Sequence, residues 1–499
     1  MDDHPTPSDT TLIKGGWVVG FDGTEHRLIR DGVVVFEGDT VVHVGQHFEG
    51  QADHTIDAST KLVSPGLVNA HVHVGAHTGD RMIFDAGRRD LFRSGFMNYC
   101  TTNGINGPTL HDYENADVAI KYSLGCLLRY GSTTVVEMGG ELGGESEGGK
   151  LGPLARHAGE LGIRIYMSPG LRSAHHYYDQ DGRHQIHWHS ETDELRTLDA
   201  AIDFIEKYDG AFDGRVKAIL VPLEYHLCSH ELLRRTKSVA KEHGVGITLH
   251  LAESVLEFQD SIRNTGRTPV GMLYNLDFLG PEVILGHGLY TTGHSQVAYT
   301  RGDDLAQLRE TGTTVAHSPT VFGRRGVHLE SFQRYLDAGV NMAIGTDSYP
   351  QDMLGELKLV QIIGKIADRD FEVCNTREVF NAATLGGARA LGRDDLGRLS
   401  PGAKADILLV DLSRPRTGPY LDPIKALIQC CDGEVIDTVI VGGRTLVQDG
   451  QLLAWDHTEL LGEVRQSCEH AWSKFSEYWP DNEPIETVFP NAFKPWDGA

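Results

Sequence analysis

The stretch Ser64-Pro65-Gly66-Leu67-Val68-Asn69-Ala70-His71-Val72-His73 reads as a turn, a short apolar run and two histidines one residue apart. Successive side chains of a strand point to opposite faces, so His71 and His73 share one. Two imidazoles at the end of a buried strand make half of a metal site. Three more short apolar runs end in residues that can complete it: His250, His287 and Asp347. Imidazole nitrogen plus one carboxylate suits a borderline divalent ion such as Zn²⁺ or Fe²⁺, with a position left for water. Such an ion lowers the pKa of its water to about 7. Glu253, in His250-Leu251-Ala252-Glu253, falls just past a strand end, where it can pass a proton from that water to a leaving group.

Taken singly, each position has a plainer reading. A lone strand-end histidine is ordinarily a hydrogen-bonded core residue, and Asp347 in Gly345-Thr346-Asp347-Ser348 could cap a helix. His175-His176 shows how readily histidines cluster without purpose, and His184, His187 and His189 are only a weak signal for a second metal. The joint pattern is harder to obtain by chance, and it asks which elements would bring these residues together.

Eight short apolar runs, at 67–73, 133–138, 164–168, 216–222, 246–253, 283–287, 313–317 and 342–347, alternate with helical stretches such as 194–208, 229–243 and 303–310. That count predicts an α/β fold, a (β/α)₈ TIM barrel, whose active site sits at the C-terminal ends of its strands. His71 and His73 then end strand one, His250 strand five, His287 strand six and Asp347 strand eight. Short β-branched pieces punctuated by Gly and Asp precede the barrel, and the same texture returns after residue 405, predicting a small β-sandwich built from both chain ends. The expected division is a flexible tail at 1–10, the composite sandwich at 11–63 and 393–452, the catalytic barrel at 64–392, and a C-terminal helix and arm at 453–499. Segments 173–191 and 141–149 break the alternation and are expected to be irregular loops covering the site.

Composition narrows the partners. With 45 Lys and Arg against 70 Asp and Glu, the formal charge of −25 argues against nucleic acid. No run of roughly 18 apolar residues predicts a membrane span. Seven scattered cysteines and a polar Met1-Asp2-Asp3-His4-Pro5 start fit a cytoplasmic protein with reduced thiols.

Pro65-Gly66-Leu67-Val68-Asn69-Ala70-His71-Val72-His73, His250-Leu251-Ala252-Glu253, Gly286-His287-Gly288 and Gly345-Thr346-Asp347 resemble the amidohydrolase superfamily, and within it the branch of triazine hydrolase and of the cytosine, guanine and methylthioadenosine deaminases. Asn381-Ala382-Ala383-Thr384 and the run from Gly397 to Asp406 resemble that family's closing helix and its return to the sandwich. The resemblance covers roughly residues 11 to 450. It implies one divalent ion per subunit held by His71, His73, His250 and Asp347, with zinc expected and iron, cobalt or manganese as alternatives. Asp347 would also accept a proton from the attacking water, His287 would orient the water or the developing oxyanion, and Glu253 would carry the proton to the leaving nitrogen. Binuclear relatives place a carbamylated lysine at the end of strand four. Here Lys217 lies near that strand's start and Glu224, just beyond its end, is the nearby anion that could bridge a second metal. Relatives commonly form dimers or larger assemblies, and the C-terminal arm would suit a homo-oligomer.

Two turns over the pocket depart from the deaminases' usual pattern: Val221-Pro222-Leu223-Glu224-Tyr225-His226 after strand four, and His317-Ser318-Pro319-Thr320-Val321-Phe322-Gly323-Arg324-Arg325 after strand seven. They argue against a standard purine or adenosine-like substrate. Glu224, His226, Phe322, Arg324 and Tyr177 are the expected substrate contacts: Arg324, or Arg325 beside it, for an anionic or carbonyl group, and Tyr177, Tyr178, Trp188 and Phe322 as an aromatic wall for a flat ring. The function expected is hydrolysis of a carbon–nitrogen bond at an sp² carbon of a small molecule, foremost deamination of an N-heterocycle. The alternative is hydrolysis of an amide, urea or carbamate, as in phenylurea hydrolases. A non-catalytic scaffold, like the dihydropyrimidinase-related proteins, would require lost ligands, and here the ligand set is intact.

Overall fold

The computed structural model describes residues 9–75, 116–139, 151–178, 184–478, 482–494 and 496. The expected loop at 141–149, the first eight residues of the tail and the Tyr178 side chain lie outside the described residues.

Eight parallel strands form the centre: Leu67–Val72, Ser132–Glu137, Arg164–Met167, Val216–Pro222, Gly246–Leu251, Val283–His287, Thr314–His317 and Asn341–Ile344. They pair in chain order, with short Gly170–Leu171 completing the pairing to strand four. The barrel closes where strand eight meets strand one. Asp347 N–H donates to the His71 carbonyl at 2.9 Å, and His73 N–H donates to the Asp347 carbonyl at 2.9 Å. Ala70, Val136, Met138, Tyr166, Ile219, Ile284, Ala316 and Ala343, drawn from seven different strands, pack into one cluster. Only a filled barrel interior lets such distant strands share contacts. The helices between strands follow their caps: Ser229, Ser254, Thr268, Asp303 and Ser331 each accept a first-turn N–H, and Gly244, Gly266 and Gly312 end helices in the left-handed conformation.

Both chain ends build one mixed sheet. Thr10–Phe21 pairs antiparallel with His26–Arg30 and Val33–Glu37, and parallel with His54–Pro65. His54–Pro65 then pairs antiparallel with Ile407–Val410, which leads on to Ile436–Val441, Arg444–Gln448 and Gln451–Leu452. Ile13, Val18, Val34, Phe36 and Val63 of the first flank share a core with Leu399, Ile407, Leu409 and Ile440 of the second. The sheet feeds strand one directly through Gly66, where any Cβ would sit 2.1 Å from Thr133 Oγ1. Among the described residues, no helix is long and apolar enough to cross a membrane.

Two expectations need correction. Within the segment 173–191 the described residues are not an irregular loop: Ala174–Tyr178 and His184–Trp188 form an antiparallel ribbon, with Ala174 opposite Trp188 and Tyr177 opposite Gln185, while residues 179–183 lie outside the described residues. Tyr177, Tyr178, Ile186 and Trp188 are residue types that favour strands, and that preference outweighed the polarity. The stretch expected to be a tail to residue 10 is already strand at Thr10. At the other end, helix His457–Ser473 lays Leu460, Val464 and Cys468 against Val118, Tyr122 and Cys126 of helix Ala116–Arg129.

Candidate metal centre

His71 is the penultimate residue of strand one and His73 directly follows that strand, while His250 belongs to strand five, His287 ends strand six and Asp347 lies three residues past strand eight. The fold brings all five together. One ligand atom each from His71, His73 and Asp347 lies within a 4.8 Å sphere of mutual distances, and so does one each from His71, His250 and His287. His73 Nε2 and His250 Nε2 are 3.3 Å apart. Two nitrogens at about 2.0–2.1 Å from one ion in tetrahedral array would be separated by roughly that distance. His250 Nδ1 points to the Leu223 carbonyl at 2.6 Å, so Nδ1 carries the hydrogen and Nε2 presents its lone pair to the cluster.

His71 and His287 are fully buried, and neither nitrogen of either ring makes a well-directed hydrogen bond. Asp347 Oδ2 lies 3.5 Å from His71 Nε2 and 3.1 Å from His287 Nε2. Buried polar atoms are normally satisfied, so orphaned imidazole nitrogens converging on a carboxylate fit a bound cation. The charge states agree. Burial, then the neighbouring His287, lowers the His71 pKa to about 3, and burial lowers that of His287 to about 4. Burial pushes the Asp347 carboxyl up, but the close polar approach of the His287 and His71 rings overrides it and holds the group well below the usual carboxylate range. Neutral imidazoles and an ionised carboxylate are the forms that ligate.

The backbone holds this geometry under strain. Asp347 has φ +59°, in the left-handed region that a non-glycine residue rarely occupies, and its two hydrogen bonds to strand one fix it there. Behind the cluster, the Asn69 side chain clasps Thr346, donating to Thr346 Oγ1 at 2.8 Å and accepting from Thr346 N–H at 3.1 Å.

Glu253 is largely buried at the edge of the cluster, and its carboxyl is pushed up to about 7. Burial is the main cause; Glu224 and Asp347 push the same way, and His250 and Arg325 oppose. Two residues that sequence reasoning missed hold the local backbone. Glu257 accepts the Ala252 N–H and the Glu253 N–H, both at 2.8 Å, and Glu137 accepts the Val74 N–H at 2.7 Å, just past His73. Ser254-Val255-Leu256-Glu257 has the capping-box spacing, which was the available signal.

The expected substrate contacts separate. Phe322 packs edge-on against His287, with ring centroids 4.5 Å apart. Glu224 Oε2 is 3.2 Å from His226 Nε2, beside strand five, and the ligand clusters among the described residues do not include it. Arg324 turns outward, donating to the Tyr349 carbonyl at 2.9 Å and lying over the Tyr349 ring, whereas its neighbour Arg325 turns in toward Glu253. Tyr177 stands on the ribbon, where Trp188 is half exposed. Lys217 donates to Asp209 at 2.9 Å, away from the strand ends.

Comparison with known proteins agrees with this geometry. Residues 62–446 match the amidohydrolase family. The chain is 27% identical over 459 residues to the 5-methylthioadenosine/S-adenosylhomocysteine deaminase of Pyrococcus abyssi, covering 91% of this chain and 97% of that one. It is 30% identical over 455 residues to the 5'-deoxyadenosine deaminase of Methanothermobacter thermautotrophicus, covering 89% and 95%. Among solved structures it superposes on an adenosine deaminase from Xanthomonas campestris with bound zinc, at a TM-score of 0.76 and 22% identity, covering 94% of this chain and all of the other.

Proposed function

The chain belongs to the amidohydrolase family, and from that membership we propose that it is a metal-dependent deaminase, replacing an amino group on an N-heterocycle by oxygen with release of ammonia. The observation that carries this reading is the convergence of His71, His73, His250 and Asp347 at the strand ends, with the largely buried Glu253 carboxyl beside them. Zinc is the ion assigned here, from the nitrogen-rich donor set and from the zinc in the Xanthomonas relative. When bound, such an ion makes water nucleophilic near neutral pH and polarises the substrate.

The chain's own residues then do the following. Asp347, ionised and 3.1 Å from His287 Nε2, accepts a proton from the attacking water. His287, pinned between Phe322 and Asp347, orients the oxygen that develops charge. Glu253, able to hold or give up a proton near pH 7, delivers it to the nitrogen as the carbon–nitrogen bond breaks. The oxygen of water ends on the ring carbon, and the amino group leaves as ammonia with the proton that Glu253 delivers. The adenosine derivatives in the relatives' names set the first compounds to try. The turns after strands four and seven, which depart from the common deaminase pattern, set the second: simpler aminated rings.

The test is an ammonia-release screen of aminated purines, pyrimidines and triazines, with phenylureas and amides alongside, on protein of known metal content. Ammonia from a heterocycle is expected. Glu253→Gln should lower kcat by about 10²- to 10⁴-fold while metal content stays at the wild-type level. Amine release from a urea or amide with no ammonia from any ring would overturn the proposal.

A further inference from the structure

Arg324 and Arg325 are adjacent but do different things. The Arg324 head is committed to Tyr349 at the surface. The Arg325 side chain is nine-tenths buried, with only 10% exposure. Its two described contacts are the Phe322 ring, 5.6 Å from the guanidinium carbon, and the Glu253 carboxylate, 3.9 Å from Nη1. A separation of 3.9 Å is within Coulombic reach but beyond a hydrogen bond. Among the described residues, none of the five guanidinium donors makes one, so the head is available to an acceptor that enters the site.

The turn itself explains the placement. Helical turn Pro319–Gly323 sets Phe322 on His287, and Arg325 N–H closes back on the Phe322 carbonyl at 2.9 Å. The guanidinium therefore stands beside the group that delivers the proton, on the strand-seven side of the metal cluster. Facing it is the Glu253 carboxyl, which Glu224 also neighbours. Carboxylates recognise N–H donors. A guanidinium has no acceptor, so it binds acceptors, and its planar fork matches a carbonyl or carboxylate oxygen in two-point contact better than a single ring nitrogen.

We propose that Arg325 is a specificity-determining residue that binds an exocyclic oxygen acceptor on the substrate, either an oxo group or a carboxylate, so that the ring taken is an amino-heterocycle also bearing oxygen. This deepens the deaminase reading and rests on it for the identity of the ring. The binding it predicts does not require turnover.

The experiment uses zinc-loaded wild type, Arg325→Met and Arg325→Lys. Matched pairs of ligands are cytosine against 4-aminopyrimidine and guanine against 2-aminopurine; 4-aminopyrimidine-2-carboxylate forms the carboxylate arm. Calorimetry gives Kd, and ammonia release gives kcat and KM. Wild type should bind the oxygen-bearing member of at least one set more tightly, and the arm that responds tells oxo from carboxylate. Arg325→Met should weaken that binding by about 10- to 100-fold, as expected for a charge-assisted hydrogen bond, and weaken the oxygen-free partner far less. Arg325→Lys, which keeps the charge but not the fork, should restore part of it. Equal binding, or none, across every set overturns the proposal. So does a fall in kcat shared equally by both members at unchanged Kd, which would make Arg325 a positioning residue for Glu253. Discrimination in binding with no ammonia released would leave Arg325 in its role and remove the deaminase reading.

Discussion

At the scale of single residues, burial decides which side chains are charged. His317, at the end of strand seven, is fully buried and its pKa is lowered to about 3, chiefly by burial; His26, mostly buried against Phe380 and Thr384, is lowered to about 4 for the same reason. The unfolded chain would protonate both at the ordinary 6.5. Between pH 6.5 and about 4 the unfolded state therefore binds more protons, and stability must fall as pH falls through that window, by up to roughly 1.4 kcal/mol per pH unit for each group. We expect the melting temperature to decline below pH 6.5, and His26→Gln to flatten that decline. Calorimetric scans from pH 7 to pH 4.5 would show it, and parallel curves for the two proteins would refute the assignment. The same burial hid some site residues from sequence reading. Glu253 was legible because it follows His250 at a fixed spacing, but Glu257 and Glu137 act through backbone N–H groups that only the folded chain brings to them.

At the scale of elements, the barrel was readable because eight short apolar runs alternate with helical stretches, and four of them end in or just before residues that make sense only jointly, as ligands. The paired strands at 174–178 and 184–188 were not, since runs of histidine and tyrosine such as His175-His176-Tyr177-Tyr178 satisfy a loop reading and a strand reading equally. The glycines before two strand-end residues carry more than turn propensity. A Cβ on Gly345 would lie 2.6 Å from both the Cβ and the carbonyl oxygen of His71, and one on Gly286 would lie 2.3 Å from His71 Nδ1. His71 fits only because strands six and eight are bare at those points. Gly345→Ala should therefore displace a metal ligand's own backbone, costing about 1–3 kcal/mol of overpacking and loosening the metal by about 10- to 100-fold. Metal content after exhaustive dialysis, read beside circular dichroism, separates this from general misfolding. Full zinc retention at wild-type kcat would show that the barrel end relaxes more easily than the packing implies.

At the scale of the whole molecule, the two flanks were legible as one β-domain, but the joint that fastens it to the barrel was not. Asp406 appears in the sequence only as the end of a conspicuous glycine-rich return. In the fold it accepts Arg164 Nε at 2.8 Å and Nη2 at 3.1 Å, and also the Gly442 N–H at 2.7 Å, while its own carbonyl accepts the Gly66 N–H at 2.9 Å. Arg164 opens barrel strand three, Gly442 follows sheet strand Ile436–Val441, and Gly66 joins the sheet to strand one. A nearly dry pair, with side chains 5% and 3% exposed, thus ties three elements at the end of the barrel away from the metal cluster. Removing one partner strands a buried charge, which costs about 3–5 kcal/mol, whereas replacing both with apolar residues of similar size can be nearly neutral. Asp406→Ala should lower the melting temperature sharply, and Arg164→Met with Asp406→Leu should recover much of it. The protein that remains folded should keep its metal and its kcat in both variants, because the joint lies a barrel's length from the chemistry. A double variant as unstable as Asp406→Ala would mean that the ion pair itself, and not relief of a buried charge, holds the domains together.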